Sequence, residues 1–254
     1  MRHKKKLGQN FLVDSNIIKK IIKEISPSKN DYMIEIGPGD GALTKYIFTE
    51  VKNFIIIEKD SSLIDKLSLM LENHKNIRIH NIDVLKFNFS SVKSKMRVIG
   101  NLPYNISTEI IFKLCNVRNI MDMHFMLQKE VVDRIVSKPN NKIYGRLSVM
   151  AQTYFKTKKL FDVSENVFVP RPKVKSSFIR LVPKAKIFDD CEHEEFFSNI
   201  VRSAFETRRK MVRSSLSKYL SEEDFINIGI DSKSRAENLS VKNYLSISRY
   251  VKKI

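Results

Sequence analysis

The chain has 254 residues, 42% of them hydrophobic and 16 of them Phe, enough to build a sizeable core and too apolar for a disordered chain. Its 46 Lys and Arg against 28 Asp and Glu give a formal charge of +18, which favours a polyanionic partner, nucleic acid ahead of an anionic membrane. No apolar run approaches the roughly 18 residues of a membrane span, so no membrane partner is expected.

Met1–Lys6 is basic, but Leu7–Phe11 is not the core of a signal peptide. The cysteines, Cys115 and Cys191, form no CxxC pair, and His3, His74, His80, His124 and His193 are scattered. A cytoplasmic, metal-free monomer is the expectation. Asp14 or Ser15 is placed to cap a helix in which Ile17, Ile18, Ile21, Ile22 and Ile25 recur at helical spacing, and Pro27 ends it.

From Tyr32 to about Val182, apolar runs alternate with amphipathic stretches. Strands are expected at 32–36, 54–58, 77–82, 97–100, 121–128, 147–155 and 177–182. Helices are expected between most of them, at 43–49, 63–71, 108–116 and 130–136. Such alternation predicts an α/β fold with a mostly parallel sheet. Beyond Pro183 the pattern turns helical, over 194–220, 222–228 and 241–251. The expected domains are therefore 1–183, including an N-terminal helical segment 1–30, and a small helical RNA-binding domain over 184–254.

The first strand runs into Glu35-Ile36-Gly37-Pro38-Gly39-Asp40-Gly41-Ala42. Gly37 and Gly39 permit a sharp turn and the close approach of a ligand. Glu58, about 20 residues on at the end of the next strand, is placed to grip a ribose diol, and Asp83 follows the third strand, where it could meet an adenine amine. The spacing Gly37-x-Gly39-x-x-Ala42 also fits a dinucleotide, so NAD remains an alternative. Pro38 and Asp40 lean away from phosphate, toward S-adenosylmethionine.

Asn101-Leu102-Pro103-Tyr104 closes a later strand. The Asn101 side chain and the Leu102 carbonyl are candidate acceptors for the two N–H groups of an exocyclic amine, with Pro103 restraining Leu102. Tyr104 offers a stacking face for a base taken out of its helix. Phe168, in Phe168-Val169-Pro170-Arg171-Pro172-Lys173-Val174, could close the sandwich from the other side, with a core position as its alternative. Arg202, Arg208, Arg209, Lys210 and Arg213 fall on one expected helical stretch as candidate phosphate contacts, or as a solvated basic face.

Taken in order, Gly8-Gln9-Asn10-Phe11-Leu12, Glu35–Gly39, Asn101–Ser107, Gln128–Val131, Tyr144–Ser148, Pro170–Val174, Ala204-Phe205 with Arg208–Lys210, and Arg235–Leu239 resemble the motifs of the bacterial ribosomal small-subunit (16S) RNA adenine dimethyltransferases. Those enzymes are relatives of the erythromycin-resistance methyltransferases. The resemblance runs nearly end to end. It implies a class I S-adenosylmethionine-dependent methyltransferase, Rossmann-like with a seven-stranded, mostly parallel sheet and a small helical domain. It further implies transfer of two methyl groups to each of two adjacent adenosines near the 3′ end of the small-subunit RNA. Carried over by position, the donor contacts would be Asn10, Leu12, Gly37, Glu58, Asp83 and Asn101. The chain departs from the family pattern at Asp40, Glu206-Thr207 and Ser214, which touches RNA contacts rather than chemistry. Rival readings are a large-subunit (23S) RNA enzyme of the antibiotic-resistance type, against which Leu102 and Arg235–Leu239 argue, and a non-catalytic ribosome-assembly factor.

Overall fold

Asp14 caps the first helix through its side chain, Oδ1 accepting from the N–H groups of Asn16 and Ile17 at 2.9 Å. The helix closes at Ser26, a left-handed residue whose N–H donates to the Ile22 carbonyl. The buried face presents Ile18, Ile21 and Ile25, as the spacing predicts. This is a computed structural model describing residues 10–188 and 190–253. The basic segment 1–6, Gly8-Gln9 of the N-terminal motif, Asp189 and Ile254 lie outside the described residues.

In chain order the elements are β1 (Phe11–Leu12), α1 (Ser15–Ile25), β2 (Tyr32–Ile36), α2 (Thr44–Ile47), β3 (Asn53–Glu58), α3 (Ser61–Met70), β4 (Ile77–Asn81), β5 (Met96–Asn101), α4 (Ser107–Cys115), β6 (Ile120–Gln128), α5 (Lys129–Val136), α6 (Arg146–Tyr154), β7 (Phe155–Val163), β8 (Phe168–Val169), β9 (Ser176–Pro183), α7 (Cys191–Glu206), α8 (Val212–Ser215), α9 (Glu222–Asn227) and α10 (Val241–Val251). Seven strands form one sheet in the order β4-β3-β2-β5-β6-β9-β7, while β1 pairs separately with β8. The neighbours from β4 to β6 are parallel and β9 runs antiparallel to β6. Strand order reverses between β2 and β5, the switch point at which open α/β sheets leave a crevice beyond their carboxyl ends.

Arg97, at the amino end of β5, anchors the opposite rim. It pairs with Asp31 and Asp122, both at 2.8 Å, and donates to the Ile25 and Ser26 carbonyls at the end of α1. On one face of the sheet, Met33, Phe54, Ile56, Ile99, Met126 and Phe178 share a core with the α1 isoleucines. Next to it, buried His124 stacks on Phe178, and desolvation holds its pKa down at about 4, so the ring is neutral.

The chain divides into two compact units. One runs through Val132 and resumes over Lys158–Pro183; the other comprises Asp133–Thr157 and the chain from Lys184 onward. The expected boundary after residue 183 marks one passage between them. Segment 133–157, expected in the first domain, groups instead with the C-terminal helices. Its expected strand over 147–155 is also corrected: Arg146–Tyr154 is α6, and β7 begins only at Phe155. The run is apolar without alternation, and periodicity alone does not separate a buried helix from a buried strand there. Local signals favour the helix, since Ser148 Oγ accepts from the Gly145 N–H at 3.0 Å and Leu, Met, Ala and Gln are good helix formers.

Within the second unit, Tyr144 and Tyr244 are fully buried, and their hydroxyls donate to the Leu239 and Ala236 carbonyls at 3.1 and 2.8 Å. The single helix expected over 194–220 is a second correction. Helix α7 stops at Glu206, and the chain then pairs with the 232–235 loop: the Val212 N–H donates to the Ser234 carbonyl and the Arg213 N–H to Ser232. Those bonds commit the backbone elsewhere and leave only the short α8.

Candidate active site

Glu35, Gly37, Glu58, Asp83 and Asn101 all sit at or just past the carboxyl ends of parallel strands, and all line one cleft. The cleft has a cavity volume of about 200 Å3 and opens to solvent at its mouth. Asn10, Leu12, Gly39, Leu102, Pro103 and Tyr104 share its wall.

The glycine turn is shaped by backbone geometry. Gly37 and Gly39 have φ of 64° and 60°, in the left-handed region that disfavours a side chain. A Cβ on Gly39 would lie 3.0 Å from the Phe11 ring, so the turn and the β1 segment close on each other with no side chain between them. Gly100 makes the second close approach. A Cβ there would stand 2.5 Å from the Ile36 carbonyl, so a glycine within β5 lets the end of β2 draw against the end of β5. The turn and the Asn101–Tyr104 tetrad become neighbours in consequence.

Two carboxylates of the cleft wall, Glu35 and Glu58, are desolvated. Burial raises Glu35 to about pKa 7 against a 2.7 Å bond from Thr44 Oγ1, with the neighbouring Glu58 charge pushing the same way. Burial also raises Glu58, whose oxygens accept from the Asp60 N–H at 2.8 Å and the Gly39 N–H at 3.3 Å. Asp83 goes the other way, held below its ordinary value first by the Lys59 ammonium at 2.7 Å and then by the Leu85 N–H.

The Asn101 side chain has a defined orientation. Its amide bonds the Asn10 carbonyl at 2.8 Å, and a carbonyl only accepts, so Nδ2 is the committed donor. Oδ1 is left as an acceptor on the cleft wall. Leu102 donates its N–H to Met126, and among the described residues no backbone N–H donates to its carbonyl. Tyr104 is half-buried, its hydroxyl 2.6 Å from Ser176 Oγ, and burial raises its pKa, so the ring is a neutral phenol.

Phe168 is not on the cleft wall. It is 2% exposed in the core cluster and sits opposite Leu12 in the β1–β8 pair, so in this structure it occupies the core alternative. The basic residues are likewise dispersed. Arg202 is near the end of α7, Arg208–Lys210 lie beyond it, and Arg213 is on α8. Arg208 pairs with Glu237 and Arg213 with Glu222, both at 2.5 Å, and Arg202 leans on Glu206 at 3.8 Å. Among the described residues, Arg209 and Lys210 have no acidic partner.

Sequence reasoning missed Phe11, Lys59, Gly100 and Ser176. Phe11 and Lys59 adjoin predicted residues, and a glycine inside an apolar run hints at a close approach. For Ser176 the sequence carries no signal. Among the described residues no group of His, Cys, Asp and Glu is placed to hold a metal, and no helix is long and apolar enough to cross a membrane.

A family model described as ribosomal RNA adenine dimethylase matches residues 1–253. The ribosomal RNA small subunit methyltransferase A of Nitrosospira multiformis is 43% identical over 257 residues, covering 100% of this chain and 99% of its own. A dimethyladenosine transferase crystal structure from Plasmodium falciparum superposes with a TM-score of 0.79 at 24% identity, covering 93% of this chain and 95% of its own. The 23S rRNA methyltransferase ErmE follows at 0.75 and 23%, covering 96% of this chain and 100% of its own. At those identities the two structures speak for the fold alone, which is that of class I methyltransferases.

Proposed function

Because the chain belongs to the ribosomal RNA adenine dimethylase family, we propose that it transfers four methyl groups from S-adenosylmethionine to N6 of two adjacent adenosines near the 3′ end of small-subunit (16S) RNA. It would do so as a cytoplasmic monomer during ribosome biogenesis. The observation that carries the reading is the Asn101 amide, fixed by the Asn10 carbonyl so that Oδ1 remains to accept, on a wall shared with the glycine turn.

When bound, the donor supplies an electrophilic methyl group on a sulfonium. Gly37 and Gly39 present a turn with no Cβ toward it, Glu58 takes the ribose diol and Asp83 the adenine amine, and Asn10 and Leu12 border the same cleft. An acceptor adenine has a poor nucleophile in its exocyclic nitrogen, whose lone pair is delocalised into the ring. Asn101 Oδ1 and the Leu102 carbonyl accept its two N–H groups and draw the nitrogen toward a tetrahedral geometry, freeing the lone pair. Tyr104 stacks on the flipped base. Catalysis is then positioning and electrostatics, with no covalent intermediate. Arg202, Arg208, Arg209, Lys210 and Arg213 supply phosphate contacts, Arg209 and Lys210 foremost because they carry no ion pair to break.

The reading is tested by transfer assays on undermethylated small-subunit particles and on naked large-subunit RNA. Labelling of the particles is the expected result, and labelling confined to large-subunit RNA would overturn it in favour of the resistance-type enzyme.

A further inference from the structure

Ser176 opens β9, is fully buried, and is not part of the cleft wall, yet its Oγ is 2.6 Å from the Tyr104 hydroxyl. The bond reaches past β6, the strand that lies between β5 and β9 in the sheet. Tyr104 lies past the end of β5, Ser176 pairs in register with Gln128 at the end of β6, and the Lys129 N–H donates to the Lys175 carbonyl at 2.9 Å immediately beside it. The anchor is therefore rigid, set by an antiparallel ladder. Tyr104 is gripped at its other end as well, where the buried Ser107 donates its hydroxyl to the Tyr104 carbonyl at 3.2 Å.

From this arrangement we infer that Ser176 is a positioning residue for methyl transfer, holding the Tyr104 ring in the attitude in which it stacks on the target base. A half-buried tyrosine in a loop has free rotamers to choose from, and stacking requires one of them. The hydroxyl lies on the long axis of the ring, so a bond at that atom fixes where the axis points. The phenol proton prefers the ring plane, which biases rotation about the axis too. A ring fixed before the base arrives costs no reordering at the moment of reaction, and small misplacements of a reacting partner are expensive. Ser176 touches neither substrate in this scheme; it acts through Tyr104.

The inference rests on the proposed function, and its test keeps the two apart. Single-turnover transfer to undermethylated small-subunit particles is measured for the full chain and for Ser176→Ala, Ser176→Thr, Tyr104→Phe and the double variant Ser176→Ala/Tyr104→Phe. Donor affinity is measured by calorimetry with S-adenosylmethionine, and folding by thermal melts. Ser176→Ala and Tyr104→Phe should each lose about tenfold in rate, ~1.4 kcal/mol, with donor affinity unchanged and the protein still folded at the assay temperature. The double variant should be no slower than either single one, because both remove the same bond, and Ser176→Thr should recover most of the rate. Should Ser176→Ala fold poorly, Tyr104→Phe removes the bond from the other side and carries the test alone. A wild-type rate in Tyr104→Phe or in Ser176→Ala, losses that multiply to about a hundredfold in the double variant, or a fall in donor affinity in step with rate would overturn the inference. An unsubstituted chain that methylates no small-subunit particle would overturn the proposed function itself.

Discussion

The carboxyl rim of the sheet and the basic stretch from Arg202 to Arg213 treat their candidate functional side chains in opposite ways. At the rim, residues separated by as much as 91 positions meet with defined partners, as Asn101 does with Asn10. Strand register and glycine close approaches leave those side chains little choice. In the basic stretch the cations lie on a helix end, a turn and a second short helix, and several are already paired with glutamates. Chemistry that depends on one hydrogen bond needs a rigid mount, whereas counterion release needs only charge near phosphate.

The contrast can be broken most forcefully at Asn101. Asn101→Ala should reduce methyl transfer by roughly 10²–10³-fold, the usual cost of one preorganised polar group, while filter-binding affinity for the RNA is kept. Full activity would remove the acceptor assignment. Phe168→Ala, in the core behind the rim, should lower stability by about 3–5 kcal/mol in chemical denaturation. Phe168→Leu then separates packing from stacking. Melting and transfer should both survive that change, and transfer lost without a change in melting would return Phe168 to the base sandwich.

Glu35 makes the rim pH-sensitive. Its carboxyl is raised from 4.5 to about 7 by burial, so the folded state favours the neutral form. The associated stability is complete below about pH 4.5 and lost as pH rises through about 7, amounting to at most ~3 kcal/mol. Glu35→Gln should flatten the stability profile across that window, and an unchanged profile would place the titration elsewhere. Gly39→Ala puts a side chain at φ 60° against the Phe11 ring, and the left-handed cost of roughly 1–2 kcal/mol should weaken donor binding by about tenfold in calorimetry. The smallest effects belong to the basic stretch. Arg209→Ala or Lys210→Ala should each reduce the slope of log affinity against log salt by roughly 0.7–0.9, with less change for Arg208 and Arg213, whose glutamates compete with phosphate. A flat salt dependence in the parent chain would make the +18 surface decoration.

The same contrast decides what was legible in the sequence. Strand β2 and helix α10 match their expected bounds: β2 is a short apolar run ended by the glycine turn, and Ser240 caps α10. The glycine turn, Glu58 and the Asn101–Tyr104 tetrad stand out in the sequence by their spacing, and the structure brings them to one cleft. Asn10 and Leu12 came only from family resemblance, since nothing local marks a two-residue strand that pairs with β8. Helix α6 was misread because an apolar run without alternation does not separate a buried helix from a buried strand by its period. Ser176 was invisible because its meaning is a contact across 72 positions, set by β9 register.

The most direct test of the account is nucleoside mapping by mass spectrometry of undermethylated small-subunit particles after incubation with the protein and S-adenosylmethionine. Two adjacent N6,N6-dimethyladenosines near the 3′ end of the small-subunit RNA are the expected products. Methylation at any other base or atom, or of large-subunit RNA alone, would contradict the account.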